Sequence, residues 1–216
     1  VGSSTTTNVQ SNNFTLDVGS GGTISQGTLG SSVVIPASVG SSMVLLETKT
    51  LSTAVANMDF NLTSYTTYNQ YFFLFRDMKT AVDSTFRGVL GLINGTFKTS
   101  AGEYRTPVDK AYYDGGSTSG RNNDNSNTAI MQVPSVESTN SGACGTMYLF
   151  QPRNSTVKTF SYFDAASYTT DNTVYRTNGA GLRTNEEDNT HVRFNYNNGN
   201  SNTTSGTIIM YGIKDA

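Results

Sequence analysis

The chain has 216 residues, a formal net charge of -2 and only 14% charged residues, against 35% hydrophobic and 11% aromatic. That balance leaves no electrostatic case for a nucleic-acid partner or an acidic membrane surface, and no apolar run is long enough for a transmembrane helix. The single cysteine, Cys144, excludes an intrachain disulfide, so the fold must be held by its core, which 12 Tyr and 11 Phe can fill, or by neighbouring subunits.

Gly, Ser and Thr dominate residues 1–40. Two apolar islands interrupt them: Phe14 with Leu16, and Val33, Val34 and Ile35 before Pro36. Such a stretch reads either as a flexible leader or as an arm that orders on a partner, with those five residues as its anchors. The opening VGSSTTTNVQ has no basic or apolar signal region and no initiating Met, so a processed chain is expected.

From Met43 the pattern becomes regular. MVLLETKTL reads as a strand of mixed burial. In AVANMDFNL, Ala56, Met58, Phe60 and Leu62 share one face, the period-2 signature of a half-buried strand. Residues 63–69 are turn-like and carry Tyr65 and Tyr68. YFFLF at 71–75 is the most apolar run and reads as a central strand. A strand over 86–93 leads to the tight-turn dipeptide Asn94-Gly95, with 96–98 as a returning partner. Between 101 and 128 the period is lost, and DGGSTSGRNNDNSN reads as a loop. Strand patterns return at 129–133, 146–151 and 159–164, with a weak one at 173–176.

The last segment, 190–214, holds two strands that read as closing a sheet. In the first, Val192, Phe194 and Tyr196 alternate with polar residues. The second, 206–213, is apolar on both faces: Ile208 and Met210 on one, Ile209, Tyr211 and Ile213 on the other. One of these faces belongs to the core, and the other is expected under a neighbouring sheet or subunit. About ten strands at spacings of roughly 8–15 residues, with no helical periodicity and no repeat, predict an all-β fold. The expected architecture is two packed antiparallel sheets, a β-sandwich of jelly-roll type over 41–216, preceded by the 1–40 arm.

Catalytic chemistry is sparse. His191 is the only histidine and lies on the polar face of a strand, with no nucleophile turn nearby. Cys144 precedes an apolar strand and reads as a buried or half-buried inert thiol. Zinc lacks ligands. The oxygen-rich stretches at 122–127, with Asp124, and at Glu186-Glu187-Asp188 lack the spacing of a calcium loop. Gly19-Ser20-Gly21-Gly22 precedes neither a helix nor a Lys-Ser/Thr pair, so it is no phosphate loop. The Asn-X-Ser/Thr triplets, among them those at Asn61, Asn94, Asn154 and Asn202, are what this composition yields by chance. A glycosidase needs two opposed carboxylates, and none can be nominated from sequence. The chain has no Trp for sugar stacking, but a loop over 102–124 offers Tyr104, Arg105, Tyr112 and Tyr113 as contacts to a saccharide. No cofactor, no metal and no enzymatic activity are expected.

The order of these pieces resembles a group of bacteriophage virion proteins: tail-fibre tips, appendages and head-decoration proteins ending in a β-sandwich. MVLLETKTL, AVANMDFNL, YNQYFFLFRDM, FRGVLGLING, MYLFQPRNST and HVRFNY carry the resemblance, with the Gly-Thr…Tyr-Gly-Ile ending at 205–213 its most distinctive part. It covers 43–213 and not the arm. It implies a sandwich fold, a place on the virion and contacts to other capsid or tail proteins. It also implies self-association, often as a trimer, and lends no catalytic residues. A host surface glycan is a further partner expected of such a protein.

Overall fold

A computed structural model describes residues 43–92, 94–113, 119–136, 142–169, 173–197 and 202–214. The arm, with Phe14, Leu16, Val33, Val34 and Ile35, lies outside the described residues. The described residues contain no helix and form two antiparallel sheets packed as a sandwich, as the strand spacing predicts.

The first strands follow the sequence pattern closely: β1 (Met43–Leu51), β2 (Asn57–Asn61), β3 (Gln70–Thr80) and β4 (Ser84–Gly91). Next come β5 (Tyr104–Tyr113), β6 (Ser119–Ser126), β7 (Met131–Val136) and β8 (Ala143–Phe150). The chain then runs through β9 (Phe160–Tyr168), β10 (Val174–Arg183), β11 (His191–Tyr196) and β12 (Thr203–Ile213). The large sheet has the order β1-β12-β3-β8-β9-β10-β5-β6, and the small sheet β2-β11-β4-β7. Two expectations are corrected. The stretch expected to be a loop is a hairpin, in which the polar strand β6 pairs with β5 along its length. The last two strands do not close one sheet together. β11 inserts between β2 and β4, whereas β12 inserts between β1 and β3.

Period-2 alternation decides what lies between the sheets. From the small sheet, Met58, Phe60, Phe86, Val192, Phe194 and Tyr196 point inward; from the large sheet, Tyr71, Phe73, Phe75, Met147, Phe163, Ile208 and Met210 do so. Phe194 stands at the centre, with ring centroids 5.2 Å from Phe73, 5.8 Å from Phe86 and 5.9 Å from Phe60. Its cross-strand neighbour is Gly88, where an added Cβ would lie 3.4 Å from the Phe194 ring, in van der Waals contact with it.

The outer strands β9, β10 and β5 curl over the free edge of the small sheet. Their hydroxyls take up carbonyl oxygens on and just before β7. Thr106 Oγ1 donates to Ala129 O (2.7 Å), Ser161 Oγ to Ile130 O (2.6 Å) and Ser167 Oγ to Pro134 O (3.2 Å). An edge that would otherwise be a template for strand addition is thus covered. Gly181 permits the approach, since a Cβ there would collide with the Ile130 carbonyl. Between 92 and 96 the tight turn forms as expected, with Gly95 at φ 78° and a Leu92–Thr96 backbone bond. The returning segment makes only a bridge from Phe97 to Gly91, not a strand.

Three core tyrosines carry a pH dependence. Tyr71, Tyr104 and Tyr196 are buried, and each phenol donates to a main-chain carbonyl, those of Tyr65, Lys98 and Met78. Burial pushes Tyr71 up to about 12, and moves Tyr104 and Tyr196 up further still. In the unfolded chain these groups ionise near pH ~10, so above that pH the unfolded state binds fewer protons than the fold and stability falls as pH rises. The melting temperature should therefore hold up to about pH 10 and then drop steeply. Tyrosinate absorbance from these three residues should rise only together with unfolding, and Tyr196→Phe should make the drop shallower. Native-state ionisation of all the tyrosines near pH ~10 would contradict this.

Candidate functional site

The outward face of the large sheet is where the chain departs from an ordinary polar exterior. The strand registers set Leu45, Tyr211, Phe72, Tyr148 and Tyr162 side by side in one row across β1, β12, β3, β8 and β9. The adjacent row contains Met43, Ile213, Gln70, Phe150 and Phe160. Phe72 lies 4.8 Å from Tyr148 and 6.0 Å from Tyr211 between centroids. Leu45, Phe160 and Tyr162 are 58%, 51% and 49% exposed, and the rest of the strip is half-buried. The sequence pattern gives Ile209, Tyr211 and Ile213 to a face away from Ile208 and Met210, and the structure agrees: the latter two are buried and the former three point outward.

Beyond Tyr162 the same face becomes a groove of about 480 Å³ lined by Pro107, Val108, Asp109, Tyr162, Asn178, Gly179 and Ala180. It continues into a second depression of about 270 Å³ at Asp109, Ala111, Arg176 and Asn178. Its origin is local. Pro107 has no N–H to donate, and the β5–β10 pairing runs from Gly179↔Val108 to Leu182↔Arg105 with Ala180 and Gly181 unpaired between them. Ala180, the small outward residue of β10 at this point, then leaves the face sunken. Asp164, Asn178 and Asp109 form one polar row across it, and Arg176 bridges to Asp164 at 3.0 Å.

The four residues nominated from sequence do not converge, because the loop that would have gathered them is a strand. Tyr104 is a core residue: its hydroxyl accepts from Leu90 N–H and donates to Lys98 O, both at 2.9 Å. Tyr112 lies on the inward side of β5, tilted against Tyr175 at 5.8 Å with Lys110 Nζ over the Tyr175 ring. Arg105 and Tyr113 face outward but sit eight positions apart on one strand, roughly 26 Å at a strand's usual rise. Arg105 borders a depression of about 380 Å³ with Tyr104, Thr106, Pro107, Ser126 and Asn127.

At one end of the sandwich lies a buried charge cluster. Arg183, fully buried, contacts the carboxylate of Glu103, donates to Glu103 O at 2.7 Å and pairs with Glu187 at 2.5 Å. Its guanidinium stands 5.4 Å from the Tyr104 ring, and Lys98 approaches Glu187 at 3.9 Å. Two carboxylates meet here, yet both address one guanidinium. A glycosidase requires them to face each other across a cleft. The cluster ties the 98–103 segment to the 184–190 segment.

Cys144 corrects the sequence reading, whereas His191 lies on the polar face that the strand pattern gives it. Cys144 is exposed on the outward face of β8, not buried, and accepts a hydrogen bond from Asp77 N at 3.3 Å. His191 lies on the outward face of the small sheet, its Nδ1 2.8 Å from Thr190 Oγ1. The two therefore occupy opposite sides of the sandwich and form no dyad. Among the described residues, no three His, Cys, Asp or Glu side chains converge as a metal site.

Comparison of the chain with protein-family models, with curated proteins and with solved structures finds no match.

The Arg183 cluster should act on stability alone. Arg183→Ala leaves Glu103 without its cation and Glu187 with Lys98 alone, and should lower the unfolding free energy by about 3–5 kcal/mol. Tyr104→Phe, which strands a main-chain donor and acceptor, should cost about 1–3 kcal/mol. Urea midpoints check both. A midpoint for Arg183→Ala equal to that of the native chain would show that the cluster is not what ties the two segments.

Proposed function

We propose that this chain is a non-enzymatic structural subunit of a phage virion, a peripheral tail-fibre or receptor-binding or capsid-decoration protein whose 1–40 arm attaches it to the particle. In this reading the sandwich is a jelly roll that associates with copies of itself, as a trimer, through the outward face of its large sheet. The observation that carries the reading is the apolar strip. Contiguous exposed apolar surface on a folded chain marks a contact with something else. Here it crosses five strands with rings in mutual contact and holds no charged side chain in its two rows.

The strand order supports the jelly-roll part. With the two hairpins β5–β6 and β9–β10 set aside, β1-β12-β3-β8 faces β2-β11-β4-β7. The chain then crosses from sheet to sheet at each step from β1 to β4 and again from β7 through β8 and β11 to β12. That is how strands wind in a double Greek key. The sequence resemblance to virion appendages supports the place on the particle and the threefold state. A saccharide-binding module is the second reading, and the groove beside Tyr162 is the observation that favours it.

Association is tested by mass. The native chain, 23.2 kDa as a monomer, should run in light scattering at three times that mass. Phe72→Ser and Tyr211→Ser together should convert it to a folded monomer. A native chain that is monomeric at micromolar concentration, or a double variant that keeps its mass, would refute association through this face. The anchor is tested separately. A chain lacking residues 1–40 should fold and fail to join particles assembled in its presence, and incorporation at the native level would refute the anchor.

A further inference from the structure

We propose that Asn94 is a site of self-modification, at which the main-chain nitrogen of Gly95 displaces the side-chain amide and the residue becomes isoaspartate or aspartate. The site lies on the exposed turn after β4 and does not depend on the particle reading. Two requirements meet there. The nitrogen of the next residue must reach the side-chain carbonyl carbon, and glycine hinders that approach least. The Asn side chain must also fold back over the main chain that follows it, as it does when it closes a turn on the N–H two residues on.

Among the described residues, three Asn side chains close such a turn. Asn61 accepts from Thr63 N–H at 2.8 Å, Asn94 from Thr96 N–H at 3.0 Å and Asn154 from Thr156 N–H at 2.9 Å. Leu62 and Ser155 follow the first and the third, and their side chains obstruct attack. Asn178 also precedes a glycine, but it lies within β10, paired to Asp164 on one side and Asp109 on the other. The two ladders hold its main chain extended, and an added Cβ on Gly179 would collide with the Phe163 ring. Asn94 alone of these combines the closed turn with glycine. Gly95 stands at φ 78° with open space around it, and residues 94–96 are all exposed.

The reaction needs only water and hydroxide. The hydrogen bond from Gly95 N–H to Leu92 O, 2.9 Å, opens, and hydroxide takes the Gly95 proton. The nitrogen then bonds to Asn94 Cγ, and the developing negative charge falls on Oδ1. Thr96 N–H already donates to that oxygen and stabilises the charge as it forms. The Cγ–Nδ2 bond breaks, water returns a proton to the departing nitrogen, and ammonia leaves a five-membered cyclic imide. Water opens the ring at either of its two C–N bonds. Cleavage between Gly95 N and Cγ gives aspartate. Cleavage between Gly95 N and the main-chain carbonyl carbon of Asn94 gives isoaspartate, with the chain routed through the side chain. Either product adds a carboxylate to the turn.

The native chain is held in mildly alkaline buffer and sampled by tryptic mapping with mass spectrometry. Cleavage isolates Asn94 in the peptide 88–98, Asn178 in 177–183 and Asn154 in 154–158, each without a second Asn. The 88–98 peptide should convert to two products of equal mass, one of them a substrate for an isoaspartyl methyltransferase. It should do so at least tenfold faster than 177–183 or 154–158. In urea, where the fold no longer separates the two Asn-Gly pairs, 88–98 and 177–183 should convert at comparable rates. Asn94→Gln should abolish conversion in 88–98, and Gly95→Ala should slow it at least tenfold. Equal rates for 88–98 and 177–183 in the native chain would overturn the site. So would a native 88–98 peptide left intact over the time in which 177–183 converts in urea. Both comparisons use the unaltered chain, so they hold whether or not a variant folds, and neither outcome bears on the assembly reading.

Discussion

Everything in this sandwich depends on one contact, the ring of Phe194 held between the two sheets. It reaches from β11 across to Phe73 on β3 while touching Phe60 and Phe86 on its own sheet's flanking strands. Four rings meeting at edge-on and stacked angles gain both area and quadrupole terms, about 0.5–1.5 kcal/mol per pair beyond simple burial. No disulfide is possible with one cysteine, and no metal cluster forms among the described residues. The sheets are therefore fastened by side chains alone. Since the side-chain period of a strand is two, committing Phe194, Val192 and Tyr196 inward turns His191, Arg193 and Asn195 outward, and the same holds along each strand between its bulges. The outer surface is a consequence of the inner one.

Polar groups do the remaining structural work, and they use much of the small supply of charge. Arg153 binds Asp188 through two nitrogens and also donates to Leu62 O. Arg193 forms a similar two-point pair with Asp59 and stands 3.6 Å over the Phe97 ring. Arg87 donates to Asn195 and Asn197, and Arg183 is buried outright. Fixed two-point geometry of this kind is worth more than a loose surface pair. With these guanidiniums engaged in holding strands and loops, the outward face of β1, β12, β3 and β8 is left largely uncharged. Contacts made there should depend on shape and apolar area, with little response to salt.

Legibility in the sequence followed burial. β2, β8 and β11 could be read because each has one face under the opposite sheet, so buried and open positions alternate. β12 could be read as apolar on both sides, and that was the single sequence signal of the outward strip. The hairpin of β5 and β6 could not be read. Its outer half runs beyond the four-stranded sheet, so Lys110 and Tyr112 lie where an apolar residue would otherwise be required, and SGRNNDNS carries no alternation at all. For the same reason β10 looked weak: Thr177, Gly179, Gly181 and Arg183 occupy its inward positions, chosen for close approach and for charge pairing, not for hydrophobicity. The candidate site was hidden for a different cause. Tyr211, Phe72, Tyr148 and Tyr162 come from four strands up to 139 positions apart, and only their registers bring them into one row. Tyr104, conversely, looked available because a tyrosine in a polar stretch reads as exposed, whereas two main-chain groups bury it.

Tyr162 belongs to both surfaces on the large sheet. By register it ends the aromatic row that starts at Leu45, and by position it walls the groove that runs on to Arg176. In the proposed assembly, a neighbouring copy seated on Phe72 and Tyr211 would cover the strip from the β1 side, farthest from the groove. The groove is built by the two hairpins that lie outside the eight-strand framework of the sandwich. The strip and the groove are therefore built by different parts of the chain. Phe72 and Tyr211 report on the first alone, Asp109 and Asn178 on the second alone. A ring shared between them would make occupancy of one surface felt at the other.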